Sequence, residues 1–464
     1  MTSHQPPATL WSGRFDTAPD AAAFEFGASF RFDRRLFEDD VTGSLAWARA
    51  LAKTGVLSAD EARQIQDALT AMLDRGRADA AFVDGPDEDV HSFVERLLVE
   101  RLGDAGRRLH TGRSRNEQVS LDLRLYLRRR IPALQHAVAG LVHALAEQAA
   151  AAGDALMPSY THFRPAQPVL VAHFFLSHAA PLRRDFARLA AARDEADALP
   201  LGSGAIAGTA YAVDVDALAA DLGFTRIVDN SMDASSDRDF AATFLYACAM
   251  TMVHLSRMAE DFIILCGDEH RFFELSDALS TGSSMMPQKK NPDPLELVRG
   301  KSGRAIGHLM GLLTTIKGLP TGYNKDLQED KEAVFGAEDT LAGCLSVVRS
   351  VINGLTLNRD AAASAASGLL LATDVADYLV GRGVPFRRAH EIVGALVRTL
   401  HGEGRDFESM TFAEWRASSE LFEADVVARV RPAASVEAKR TPQSTAPGAV
   451  AARLADVRRW LASL

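Results

Sequence analysis

Four stretches of this chain, residues 119–152, 168–197, 240–266 and 295–317, run on with few glycines or prolines inside them. Each is far longer than the mean helix of about 11 to 12 residues. Regular strand alternation is scarce. Helices of that length with apolar stripes must bury those stripes against one another, which predicts an all-α chain built as an elongated long-helix bundle. The stretch AATFLYACAMTMVHLSRMAEDFIILC at 241–266 is apolar on most of its circumference. It therefore needs neighbours on all sides, which favours a bundle completed by other subunits.

At 464 residues the chain is too long for one ordinary core, and about 150 residues per domain suggests roughly three. Breaker clusters at 199–208 (LPLGSGAIAG), 318–324 (GLPTGYN) and 441–448 (TPQSTAPG) punctuate it. The expected division is an N-terminal helical domain at 1–112, a central long-helix domain at 113–364 and a C-terminal helical domain at 365–464.

A net charge of -10 argues against a general nucleic-acid binder and against an anionic membrane surface. An anionic substrate would need positive charge focused locally. The uncharged run 240–256 is broken by threonines and His254 and reads as a buried helix, not a membrane span. Cys248, Cys266 and Cys344 lie in apolar helical patterns without a CxxC pair, as core residues of a reducing compartment do. The N-terminal MTSHQPPATLWSGRF carries no charged start followed by an apolar run, so no secretory signal is expected.

The span GSSMMPQKKNPDPLE at 282–296 concentrates hydroxyls, two lysines and prolines that forbid a regular helix. Ser283 and Ser284 offer nucleophilic or basic oxygens and nearby N–H donors, and Lys289 and Lys290 offer charge for a carboxylate or a developing carbanion. A solvated lysine-bearing turn has the same composition. His110 to Asn116 (HTGRSRN) sets hydroxyls, an amide and two arginines before a long helix, which suits a carboxylate or an ordinary capped helix start. Ser159 to Pro168 (SYTHFRPAQP) places His162 in an irregular stretch between two long helices, where it is a general acid or base or a structural histidine. Tyr323 to Lys331 (YNKDLQEDK) offers donors of several kinds, as a solvated charged turn also would. No HExxH pair, Walker loop or GxGxxG after a strand occurs, so chemistry without metal or cofactor is the default.

The loop GSSMMPQKKNPD resembles the GSSxMPxKxNP signature of the fumarase/aspartase superfamily, and within it the chain is most similar to the argininosuccinate lyases. The resemblance spans nearly the whole length: LWSGRF at 10–15, FDRRLFEDDVTGS at 32–44, EDVH at 88–91, HTGRSRNEQV at 110–119, YTHFRPAQPV at 160–169, NSMDASSDRDF at 230–240 and TGYNKDLQEDKE at 321–332. It implies a cytoplasmic, cofactor-free enzyme that eliminates arginine from argininosuccinate to leave fumarate through an aci-carboxylate carbanion, the last step of arginine biosynthesis. It also implies a homotetramer with a twenty-helix core and active sites shared between subunits, with no nucleic-acid or membrane partner. By the same resemblance Ser283 is the base, Lys289 and Asn291 stabilise the carbanion, and His162, paired with Glu296, is the proton donor. The reverse assignment of Ser283 and His162 stays open. Substrate contacts carried over are Ser29, Arg113, Asn116, Thr161, Asn291, Tyr323, Gln328 and Lys331.

Alternatives on this scaffold are a sister lyase acting on another succinyl or aspartyl adduct, or a non-catalytic crystallin-like structural protein. Ser12, Gln443 and Ser444 depart from the commoner glycines of the pattern, which puts local backbone geometry in question.

Overall fold

The computed structural model describes residues 20–464; LWSGRF with Ser12, and the leading residues read for a secretory signal, lie outside them. The chain is predominantly helical, as expected. After the helices Phe37–Thr54 (α1), Ala59–Ala78 (α2) and Val90–Leu102 (α3) come the long ones. These are Arg115–Ala152 (α4), Val171–Glu195 (α5), Asp239–Cys266 (α6), Asp293–Ile316 (α7) and Asp330–Gly354 (α8). Shorter helices follow to the C-terminus.

Local chemistry explains where the long helices start. α4 begins four residues before the expected position because Ser114 and Glu117 form a reciprocal cap: the Asn116 N–H donates to Ser114 Oγ (3.2 Å) and the Ser114 N–H donates to Glu117 Oε1 (3.1 Å). α7 also begins early, at Asp293, with Pro294 in its first turn. There the missing N–H would have had no helical partner in any case.

Two compact units divide the chain, one from residues 20–135, 187–250 and 303–341, the other from 136–186, 251–302 and 342–464. In the first, Trp47 is fully buried and its indole N–H donates to the Thr111 carbonyl (3.2 Å). Tyr126 of α4 packs edge-on to Phe335 of α8 at 5.0 Å. In the second, Phe175, Phe262 and Phe273 pack ring against ring at 5.5–6.0 Å. Truncating one such ring to alanine costs about 3–5 kcal/mol. A further core in this unit joins Leu371, Val375, Leu379, Phe407, Trp415 and Phe422.

The apolar helix α6 does not present the free face expected of it. Most of its residues are already covered within one chain, with Tyr246 its exposed large hydrophobic side chain. The uncovered face lies on α7, where Leu297, Ile306, Met310 and Leu313 are 41–60% exposed. On the same helix a Cβ added at Gly300, Gly303, Gly307 or Gly311 would meet none of the described residues within 4 Å. No single helix among the described residues is long and apolar enough to cross a membrane.

The segment expected to be irregular around His162 is a β-hairpin. Leu156–Thr161 (β1) pairs antiparallel with Arg164–Leu170 (β2), and Pro165 and Pro168 are accommodated because each strand of a two-stranded ladder is an edge strand. The departures at Gln443 and Ser444 prove undemanding. That turn closes through the Ser444 N–H donating to the Thr441 carbonyl (3.0 Å), and neither residue is left-handed, so no glycine is needed.

Candidate functional site

The hairpin turn consists of His162 and Phe163 alone, since Thr161 pairs with Arg164. Both turn residues have positive φ, 54° and 56°, a geometry that normally selects Asn or Gly. Strain of about 1–3 kcal/mol per residue persists only where the surroundings over-determine the turn, and here it thrusts the imidazole and an 84%-exposed Phe163 ring outward. Thr161 is exposed beside them. His162 lines a cavity of about 590 Å³ with Tyr160, His173, Phe174 and His270.

The lysine loop is held at its neck. Thr281–Gly282 (β3) pairs antiparallel with Lys290–Asn291 (β4), and the Asn291 side-chain amide donates to Thr281 Oγ1 (3.4 Å). Lys290 Nζ reaches Asp277 at 2.8 Å and Glu274 at 3.3 Å, and the hydrogen bond to Asp277 holds its ammonium above the usual lysine range. Lys290 is thus a tether, a role its sequence position did not reveal. Inside the neck the backbone N–H groups of Met285 and Met286 both donate to Ser283 Oγ, at 3.2 and 3.0 Å. Two donors aimed at one hydroxyl oxygen make a nest that stabilises negative charge there. Lys289 is exposed, and its side chain lines a second cavity of about 960 Å³ with Asn291 and Glu296.

Glu296 lies 4.0 Å from Arg299. Among the described residues no hydrogen bond or ion pair joins it to His162, so one chain alone does not make the pairing that the resemblance implies.

The other unit gathers the remaining candidates. The buried Ser29 hydroxyl donates to Asp33, and its N–H donates to the Glu88 carbonyl (2.7 Å). Gln328 Nε2 donates to the Gly27 carbonyl at 3.2 Å, which ties the 323–331 segment to the chain just before Ser29. Tyr323 is pushed up to about 12 by burial. Lys331, buried at the start of α8, donates to Asp330 Oδ1 at 2.8 Å. Burial alone would raise the Asp330 carboxyl, but Lys331 and Arg238 together hold it below the usual range.

At the start of α4 the Asn116 side-chain amide donates to the Ala205 carbonyl at 3.1 Å. Glu117, fully buried, accepts the N–H groups of Gly202 (2.8 Å) and Gly204 (2.9 Å), fastening the 199–208 loop to the HTGRSRN turn. Arg113 is buried, with Nη1 donating to Ser44 Oγ at 3.0 Å.

Beside Arg113, the side chains of Asp40, His91 and Asp122 converge within 4.8 Å, a grouping with the donor types of a metal site. Burial next to Asp40 keeps Asp122 well above the ordinary carboxyl range, while Asp40 is met by His91 Nδ1 at 2.9 Å and by the Gln118 amide, which donates to it. Sequence reasoning missed these partners, together with Asp33, Asp330 and Arg238. All but Asp122 fall inside stretches quoted for the resemblance, which was their only signal.

Comparison with known proteins agrees over nearly the full length. A family described as lyase matches residues 13–307, and one described as argininosuccinate lyase C-terminal matches 369–437. An argininosuccinate lyase from Desulforudis audaxviator is 47% identical, covering 97% of this chain and 99% of that protein. One from Moorella thermoacetica is 46% identical over 98% of each. Among solved structures, an EDDS lyase in complex with formate is similar at 26% identity and a TM-score of 0.82, covering 96% of this chain and 93% of that one. A class II fumarase from Schistosoma mansoni shares the fold at 15% identity and a TM-score of 0.75, covering 90% and 94%.

Proposed function

The chain belongs to the argininosuccinate lyase family, carbon–nitrogen lyases of the fumarase/aspartase superfamily, and we propose the following course for its elimination of arginine from argininosuccinate. Ser283, as alkoxide, removes the proton from the carbon beside a substrate carboxylate. The electron pair that remains is delocalised into that carboxylate as an aci-carboxylate, which Lys289 and Asn291 stabilise. The pair then forms the carbon–carbon double bond of fumarate as the carbon–nitrogen bond breaks. His162 gives a proton to the departing guanidino nitrogen. Thr161, Ser29, Arg113, Asn116, Tyr323, Gln328 and Lys331 hold the substrate.

The observation that carries this reading is the pair of backbone N–H groups on Ser283 Oγ. A serine hydroxyl in water is far too weak a base for a carbon acid, and oxyanion-directed donors are the physical means of strengthening it. Removing one such donor typically costs 10²–10³ in kcat.

The active assembly in this reading is a cytoplasmic homotetramer in which Glu296 of one subunit orients His162 of another. What supports it is the uncovered α7 face, where open glycines alternate with exposed apolar side chains and allow close helix approach. The purified protein, given argininosuccinate, adenylosuccinate, aspartate and malate separately, should release fumarate or consume substrate with the first alone, followed in the ultraviolet. Turnover of adenylosuccinate alone would overturn the substrate assignment.

A further inference from the structure

Lys331 cannot attract an anion by itself, because its charge is already spoken for. Its ammonium donates to Asp330 Oδ1 at 2.8 Å, and the charge of Asp33, whose carboxyl accepts from Ser29 and from the Val90 N–H (3.0 Å), also lies within its field. An ammonium already neutralised by an adjacent carboxylate offers little net charge to a dicarboxylic substrate.

The second cation is Arg238, which precedes α6 in sequence and is fully buried at its side chain. Its Nε donates to Asp330 Oδ2, so the one carboxylate bridges the two cations through separate oxygens. Its Nη1 donates to the Asp237 carbonyl at 2.7 Å, which fixes the guanidinium plane. Its Nη2 is buried with no hydrogen-bond partner among the described residues. A desolvated guanidinium N–H without an acceptor costs well over a neutral lost hydrogen bond, and such a group in a native protein calls for a purpose. The Tyr323 hydroxyl also lies within the field of Arg238, so the guanidinium acts on two of the carried-over substrate contacts.

Resting on the proposed reaction, we infer that Arg238 is a positioning residue for substrate binding: by sharing Asp330 it frees the charge of Lys331 for a substrate carboxylate and fixes the ammonium's direction. Replacing it by a neutral side chain leaves Lys331 alone to neutralise Asp330. A lysine keeps the positive charge beside Asp330 and gives up the planar guanidinium.

The test uses the full-length oligomer, with Arg238→Gln and Arg238→Lys checked by circular dichroism and gel filtration. For Arg238→Gln, KM for argininosuccinate and the dissociation constant for fumarate, measured by calorimetry, should each rise at least about tenfold. kcat should fall much less. Arg238→Lys should return both constants to within about threefold of wild type. A purely structural residue would instead lower thermal stability and leave both constants alone, and that result overturns the inference.

Should Arg238→Gln fail to fold, Arg238→Lys decides: a folded lysine variant with a tenfold binding loss refutes the charge argument, and near-normal binding upholds it. If the wild type binds fumarate but does not turn over argininosuccinate, the reaction is wrong while the fumarate arm still tests Arg238. A wild type that binds no dicarboxylate overturns both.

Discussion

Glu117 offers a test of how the site is held together. Its carboxylate is fully buried and accepts three backbone N–H groups, from Ser114, Gly202 and Gly204. Burial nevertheless pushes it up to about 7 from an ordinary 4.5. In the window between those values the folded protein holds a proton that the unfolded chain has released. Stability therefore falls as pH rises through it: the contribution is full below about 4.5 and gone above about 7. At about 1.4 kcal/mol per pH unit, the loss across the window is about 3 kcal/mol.

Glu117→Gln removes the titration while keeping one acceptor oxygen, which can still serve the two glycine N–H groups. It orphans the Ser114 N–H, at about 1–3 kcal/mol. The expected outcome is a variant whose deficit against wild type shrinks by about 3 kcal/mol between pH 4.5 and 7.5, read from urea midpoints at one protein concentration. Amide exchange at Gly202 and Gly204 should report the same change locally, because their protection depends on this acceptor. A deficit that stays constant over the window would show that Glu117 does not titrate there, and the burial argument would fall. Other raised carboxyls, such as Asp33 at about 6, are common to both proteins and cancel in the difference.

Further outcomes follow from the loop and its neck. Ser283→Ala should abolish turnover while leaving helical content and assembly intact by circular dichroism and gel filtration; substantial residual fumarate release would remove Ser283 from its role. Lys290→Met should change thermal stability little, because the pair with Asp277 and Glu274 is exposed. It should slow kcat about fivefold and speed amide exchange at 281–291; a stable variant with unchanged exchange would refute the tether. Mixing an inactive Ser283 variant with an inactive His162 variant should recover partial activity on subunit exchange, and no recovery despite demonstrated exchange would count against shared sites.

The sequence by itself determined the helical class, the approximate extent of the long helices and the composition of the loop at 282–296. Those properties depend on neighbours a few residues away: the absence of breakers, the apolar stripe, and prolines at 287 and 292. The motif at 282–296 was legible for the same reason, since its chemistry is contiguous.

Tertiary structure decided what depends on distant partners. Arg238 meets Asp330 across 92 positions and Glu117 meets Gly204 across 87, separations over which local pattern carries no signal. The stretch around His162 looked irregular because proline weakens strand propensity, yet β1 and β2 supply each other's hydrogen bonds. The uncovered apolar face lay on the glycine-bearing α7 and not on the more apolar α6, because hydrophobicity says that a surface must be covered and only packing says which one is.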